Sequence, residues 1–153
     1  MTIEWDYPEP FKVEQRVEAG DIDGLGHANN TVYLRWLEQA AWQHSIHLGL
    51  DLAAYQAHQR AMVVHRHELD YLGACYEGEQ VTIGTWLVAC DNKMRLWRRY
   101  QVIKSESGAT CLRGLTRFVC ADLLSGRPKR MPQAFIEGYQ PTIAEPEPEL
   151  MHG

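Results

Sequence analysis

The chain has 153 residues, 45% of them apolar and 23% charged, with a formal charge of -5. That length and composition suit a soluble globular body with a real core. The acidic balance, with no Lys/Arg run longer than two residues, argues against nucleic acid as the main partner. No apolar run approaches the ~20 residues that a membrane helix needs, so no membrane insertion is expected.

The chain starts Met1-Thr2-Ile3-Glu4-Trp5-Asp6, with neither a basic head nor an apolar stretch, so it does not read as a signal peptide. Residues 11–19 have strand composition. Residues 21–30, Asp-Ile-Asp-Gly-Leu-Gly-His-Ala-Asn-Asn, read as loop. Residues 31–49 read as a long helix with Gly49 as its stop, and Asp51 can cap a shorter helix to about His58. On the long helix Leu34, Ala41, Leu48, Leu37, Tyr33 and Ala40 share one arc, with His44 as its polar member. The other side mixes Arg35, Gln39, Gln43 and His47 with Val32, Trp36 and Ile46. A helix so apolar is covered on most sides.

Residues 62–72 alternate, which predicts a half-buried strand with Val63, His65, His67, Leu69 and Tyr71 on one face. Residues 80–90, 94–105 and 109–122 follow as three long strands. Asp91-Asn92 and Glu106-Ser107-Gly108 are the short connections between them. Ser125-Gly126-Arg127-Pro128 makes a turn, and residues 132–138 predict a last helical turn. One domain is expected over residues 1–139, followed by a Pro/Glu-rich tail over 140–153 expected to be mobile.

Cys75, Cys90, Cys111 and Cys120 form no Cys-x-x-Cys pair, and three of them lie in apolar strand-like runs where a thiol acts as a small hydrophobe. A reduced, cytoplasmic protein without a cofactor is the expectation. His65 and His67 share a strand face and raise a metal site with His27 or His44. Hydrogen-bonded histidines between sheet and helix are the preferred reading, and no metal is expected.

The chemistry concentrates just before the long helix. N-H groups at a helix start are unpaired and partly positive, so they can polarise a carbonyl oxygen. A carboxylate in the preceding loop, Asp23, can attack that carbonyl or activate water against it. Thioesters suit so sparse a site, because a leaving thiolate of pKa ~8.5 needs little help from a general acid.

The pattern Asp21-x-Asp23-x-x-Gly26-His27-x-Asn29-Asn30-x-x-Tyr33, with Trp36 and Glu38, resembles the 4-hydroxybenzoyl-CoA thioesterase-like branch of the hotdog-fold acyl-CoA thioesterases. So do Leu69-Asp70-Tyr71-Leu72, Gly78-Glu79 and the turn at residues 125–128. The likeness runs from about Phe11 to Pro132. The resemblance implies an α+β hotdog fold, a five-stranded antiparallel sheet wrapped around a long central helix. It also implies a homodimer or homotetramer with active sites at the dimer interface. Asp23 matches the catalytic carboxylate, as nucleophile or general base, and the amide near Asn30 matches the carbonyl-polarising position. Glu38 matches a wall of the acyl pocket contributed by the other subunit. Gly26, Tyr33 and His65 join it as substrate-binding candidates. Arg127 and Lys129, with Arg130, are candidates for the phosphates of CoA, or else a solvated turn.

Acyl-carrier-protein thioesterases of plants resemble the Gly-His-x-Asn-Asn form, with an Asn and a His assisting the Asp. The matching Asn position here is Leu25, so that set is incomplete. His27 keeps two readings, orienting the loop or touching substrate. Asn29 or Asn30 either caps the helix or contacts substrate, and Asp21 reads as structural. The alternatives are a non-catalytic acyl-CoA binder on the same fold and an acyl-carrier-protein thioesterase. A hotdog dehydratase needs a proline-containing His loop that is not found here.

Overall fold

The computed structural model describes residues 3–146 and residue 148. Strand β1 is Phe11–Arg16, and a 3-10 turn at Ala19–Asp21 leads to the loop before helix α1, Asn30–His47. Helix α2 is Leu52–His58. Strands β2 Arg60–Tyr71, β3 Gln80–Cys90, β4 Arg95–Lys104 and β5 Thr110–Asp122 follow, then helix α3, Gln133–Gly138. The strands form one sheet in the order β1-β3-β4-β5-β2. In the first pair, Phe11 lies opposite Thr85 and Arg16 opposite Gln80, antiparallel. This is the α+β hotdog arrangement, a five-stranded antiparallel sheet with a long helix.

Helix α1 ends where the sequence says it should. Gly49 has φ +85°, Gly49 N-H donates to Ile46 O and Leu50 N-H donates to Ser45 O at 2.9 Å. That pair of bonds is the Schellman closure, which needs a left-handed residue and so favours glycine. Asp51 caps α2 by accepting Ala54 N-H at 2.9 Å.

The described residues cluster into two compact units. The first takes residues from 3–41, Leu69–Thr85 and Tyr100–Gly114; the second takes Trp42–Glu68, Trp86–Arg99 and the described residues from 115 onward. In the first, Val32, Tyr33, Trp36, Leu37 and Ala40 of α1 pack with Val81, Ile83, Tyr100, Val102 and Leu112. Full burial of one such large side chain stabilises by ~1.5–3 kcal/mol. Gly114 on β5 is a close-approach position, since a Cβ there would meet Leu37 at 3.2 Å and Leu69 at 3.0 Å. In the second, Tyr55, Leu87, Leu96, Phe135 and Tyr139 form the main cluster.

Two sequence expectations shift. The buried stripe of α1 is Val32-Tyr33-Trp36-Leu37-Ala40, whereas Leu34 and Ala41 are only half-buried. The large indole of Trp36 takes the core position that the periodicity gave to smaller residues. Strand β2 is present, but its burial does not alternate: Val63, Val64, His65 and Arg66 are all exposed. It is an edge strand, with no described neighbour on its outer side.

Part of the tail is tied to the sheet. Glu145 N-H donates to Val88 O at 3.0 Å, and its carboxylate accepts from Arg99 Nε at 2.8 Å and from a terminal guanidinium nitrogen at 3.1 Å. Residue 147 and residues 149–153 of the expected mobile tail lie outside the described residues.

Candidate active site

The segment before α1 folds as a miniature hairpin. Ile22 and Ala28 form an antiparallel bridge, Asp23 N-H donates to His27 O at 3.0 Å, and Gly26 N-H donates to Asp23 O at 3.0 Å. Gly26 sits at φ +84°, and Leu25 at the tip is 80% exposed. Asp23 is half-buried at the first turn position, and its Oδ1 accepts Leu25 N-H at 2.8 Å. Its Oδ2 takes no donor among the described residues. Asp21 is structural: its carboxylate accepts Arg35 at 2.6 Å and Glu18 N-H at 2.9 Å, and its carbonyl accepts Asn29 N-H.

The start of α1 separates the two asparagines. Asn29 is the cap, because its Oδ1 accepts Thr31 N-H at 2.9 Å and the Thr31 hydroxyl at 2.8 Å. Its carbonyl accepts Val32 N-H at 2.9 Å. The N-H of Asn30 meets no acceptor among the described residues. It is therefore the donor left over at the positive end of the helix dipole. Tyr71 Oη donates to Asn30 O at 3.0 Å and fixes the first turn from the β2 side.

Tyr33, one turn along α1, organises the other side. Its hydroxyl donates to Gly73 O at 3.3 Å and accepts Cys75 N-H at 3.1 Å, while Cys75 O accepts Ala28 N-H at 2.8 Å. Burial and the neighbouring Cys75 hold the Tyr33 phenol well above its usual range, so it stays protonated as a donor. The rings of Tyr33 and Tyr71 meet edge to face at 5.5 Å.

These groups surround an open groove of about 300 Å³ lined by His27, Ala28, Asn30, Tyr33, Tyr71, Leu72, Gly73 and Ala74. Of the candidates read from the sequence, His27, Asn30 and Tyr33 therefore come together. Asp23 and Gly26 lie in the adjoining turn and are not among the lining residues. His27 is half-buried, with Nδ1 at a long 3.4 Å from Ala28 O. Glu38 is exposed on α1. His65 is exposed on β2 in the second unit, where Arg117 Nε donates to its Nδ1 at 3.0 Å. Arg127 and Lys129 are exposed in the turn after β5. Sequence reasoning missed the wall made by residues 71–74. The signal was present in Leu69-Asp70-Tyr71-Leu72, but a strand end followed by Gly73 carries no chemistry on its face.

Among the described residues no group of three or more His, Cys, Asp or Glu could hold a metal ion, and no helix is long and apolar enough to cross a membrane. His67 Nδ1 is 2.7 Å from the Thr116 hydroxyl, a hydrogen bond inside the second unit.

A hotdog sheet thus carries a donor-bearing helix start beside an open groove. The chain belongs to the Thioesterase-like superfamily, whose profile matches residues 17–138. Among solved structures it is similar to a 1,4-dihydroxy-2-naphthoyl-CoA thioesterase from Synechocystis, with 19% identity over 86% of this chain and 96% of that one and a TM-score of 0.76. It is similar to a Staphylococcus aureus protein solved in complex with CoA, with 20% identity over 96% and 93% and a TM-score of 0.79. A DHNA-CoA thioesterase from Staphylococcus aureus gives 20% identity over 82% and 83% and a TM-score of 0.74. No curated protein matches the chain.

Proposed function

We propose that the chain hydrolyses an acyl-CoA thioester to a free acid and a thiol. The carrying observation is the Asn30 amide, a helix-start donor with no acceptor among the described residues, on the lining of an open groove. In this reading the acyl carbonyl oxygen accepts from that N-H, and negative charge builds on it as the tetrahedral adduct forms. Asp23 either attacks the carbonyl carbon or takes a proton from the attacking water. Collapse breaks the C-S bond and releases the thiolate. Family membership and the likeness to the Synechocystis and Staphylococcus CoA thioesterases support this reading.

His27 and Tyr33 then border the thioester, and Arg127 and Lys129 are offered to CoA phosphates. A second copy is proposed to complete the site. Val63 and Val64 on the edge strand β2 are each 44% exposed, and Trp42 and Ile46 on α1 are exposed. These are surfaces that edge-to-edge pairing of two chains would cover. Glu38 would then reach the partner's pocket. Mixing inactive Asp23→Asn and Glu38→Ala chains should restore part of the turnover; no recovery after demonstrated subunit exchange overturns this arrangement.

A non-catalytic binder is the second reading, favoured by the Asp23–Leu25 bond, which already gives the carboxylate a turn-forming task. Asp23→Asn separates the two, since an amide Oδ1 still accepts Leu25 N-H while the charge is gone. Thiol release should be measured on a panel of acyl-CoAs, with circular dichroism as the check on folding. Turnover is expected to fall by ~10²–10⁴-fold, the usual worth of a general base. A folded variant with unchanged turnover overturns the assignment.

A further inference from the structure

The Asn30 N-H shares one planar peptide unit with the Asn29 carbonyl, so the two point in opposite directions. That carbonyl accepts Val32 N-H at 2.9 Å, which anchors one edge of the plane to the first turn of α1. The aim of the N-H then depends on where the Asn30 Cα sits. On the far side of that Cα, Asn30 O accepts the Tyr71 hydroxyl at 3.0 Å, from a residue 41 positions along the chain.

Tyr71 is itself held from two directions. It is the last residue of β2, and beyond it Leu72 N-H and Gly73 N-H donate to Cys111 O at 2.8 and 3.1 Å, which ties that stretch to β5. From α1, the Tyr33 hydroxyl donates to Gly73 O at 3.3 Å and accepts Cys75 N-H at 3.1 Å. The Tyr33 ring meets the Tyr71 ring edge to face at 5.5 Å and limits its swing. Two phenols thus join the helix start to the 71–75 stretch in opposite senses, Tyr33 from the helix and Tyr71 toward it.

Their surroundings differ. Tyr33 is 3% exposed and fills the core, so its loss would disturb the fold. Tyr71 is 46% exposed, and a hydrogen bond so open to water adds little to stability. Its bond goes to the one residue whose leftover amide is offered to the acyl carbonyl, and both residues line the groove.

We propose that Tyr71 is a positioning residue whose hydroxyl holds Asn30, so that the Asn30 N-H stays aimed at the acyl oxygen. Its effect on turnover rests on the thioesterase reading; the hold on Asn30 does not. A donor fixed in advance needs no reorganisation as charge develops on the oxygen. A donor free to swing must be realigned in each turnover, and the loss falls on kcat rather than on KM.

Tyr71→Phe keeps the ring and its edge-to-face contact and removes only the hydroxyl. In acyl-CoA assays kcat should fall about tenfold, as small misplacements of a site do, with KM nearly unchanged. In Asn30→Pro, which has no N-H at that position, the same change should cost nothing further. Relaxation of the Asn30 amide nitrogen, recorded by NMR without substrate, should show larger motion in Tyr71→Phe than in wild type, with a thermal melt as the check on folding. A folded Tyr71→Phe chain with full kcat overturns the proposal. So does an equal loss in both backgrounds, because Tyr71 would then act through some other group. Unchanged relaxation overturns the hold on Asn30 whatever the activity. Altered relaxation in a chain whose wild type turns over no acyl-CoA sustains the hold and condemns the thioesterase reading alone.

Discussion

The two ends of helix α1 solve the same problem in different ways. Each end leaves backbone groups that the helix itself cannot satisfy. At the C-terminal end, Gly49 and Leu50 close onto Ile46 and Ser45. The Ser45 hydroxyl donates to Leu50 O at 2.5 Å, which fixes the direction of a buried chain: Tyr139 must donate to Ser45, and Tyr55 to Tyr139. At the N-terminal end Asn29 satisfies Thr31 and Val32, and the Asn30 N-H is left over. The Schellman closure marks the end that builds the fold, and the leftover donor marks the end that we propose for the substrate.

The sharpest way to break that contrast is to delete the leftover donor. Asn30→Pro does so with little cost to the helix, since proline fits the first helical position. Turnover should drop by ~10²–10³-fold, the cost of one oxyanion donor. Asn30→Ala, which keeps the N-H, should lose far less. Equal losses in both would mean that the side chain, not the amide, matters. At the other end Tyr139→Phe leaves the Tyr55 hydroxyl without its acceptor and Ser45 without its donor. Urea unfolding should show a loss of ~1–3 kcal/mol, the usual cost of unsatisfied buried polar groups. Turnover per folded molecule should hold. An activity loss with intact stability would break the assignment of that end to the fold.

Much of this contrast was legible in the sequence, for physical reasons. Asp51, Gly49 and the long β-branched strands carry local preferences that survive folding, so element order and helix ends read directly. The loop at residues 21–30 declared itself by residue type. What stayed hidden depends on contacts between distant segments. The identity of the cap was ambiguous because Asn29 and Asn30 have equal propensity; the Thr31 and Val32 bonds decide it only once the chain is folded. The rotation of α1 was hidden because Trp36 competes with smaller residues for the core. The Tyr71–Ala74 wall was hidden because its partners on α1 lie about forty residues away and share no period with it.

The smallest effect at neutral pH concerns His44, on the satisfied end of α1. Burial, the Arg98 guanidinium at 2.8 Å and His47 push its pKa down to about 3. The unfolded chain takes up a proton near pH 6.5, and the folded one only near 3. Between those values the unfolded state holds more protons, so stability is present above pH 6.5 and is lost as pH falls toward 3. One proton limits the slope to ~1.4 kcal/mol per pH unit. Carboxylates titrate in the same window, so the informative quantity is the difference between wild type and His44→Gln. Thermal melts at pH 7 fix the baseline offset. Below pH 6 the wild type should lose stability faster than the variant, and the two curves should converge or cross. Parallel curves from pH 7 to pH 4 would show that His44 is not held neutral, and the satisfied end of the helix would then contain a charge it has no means to balance.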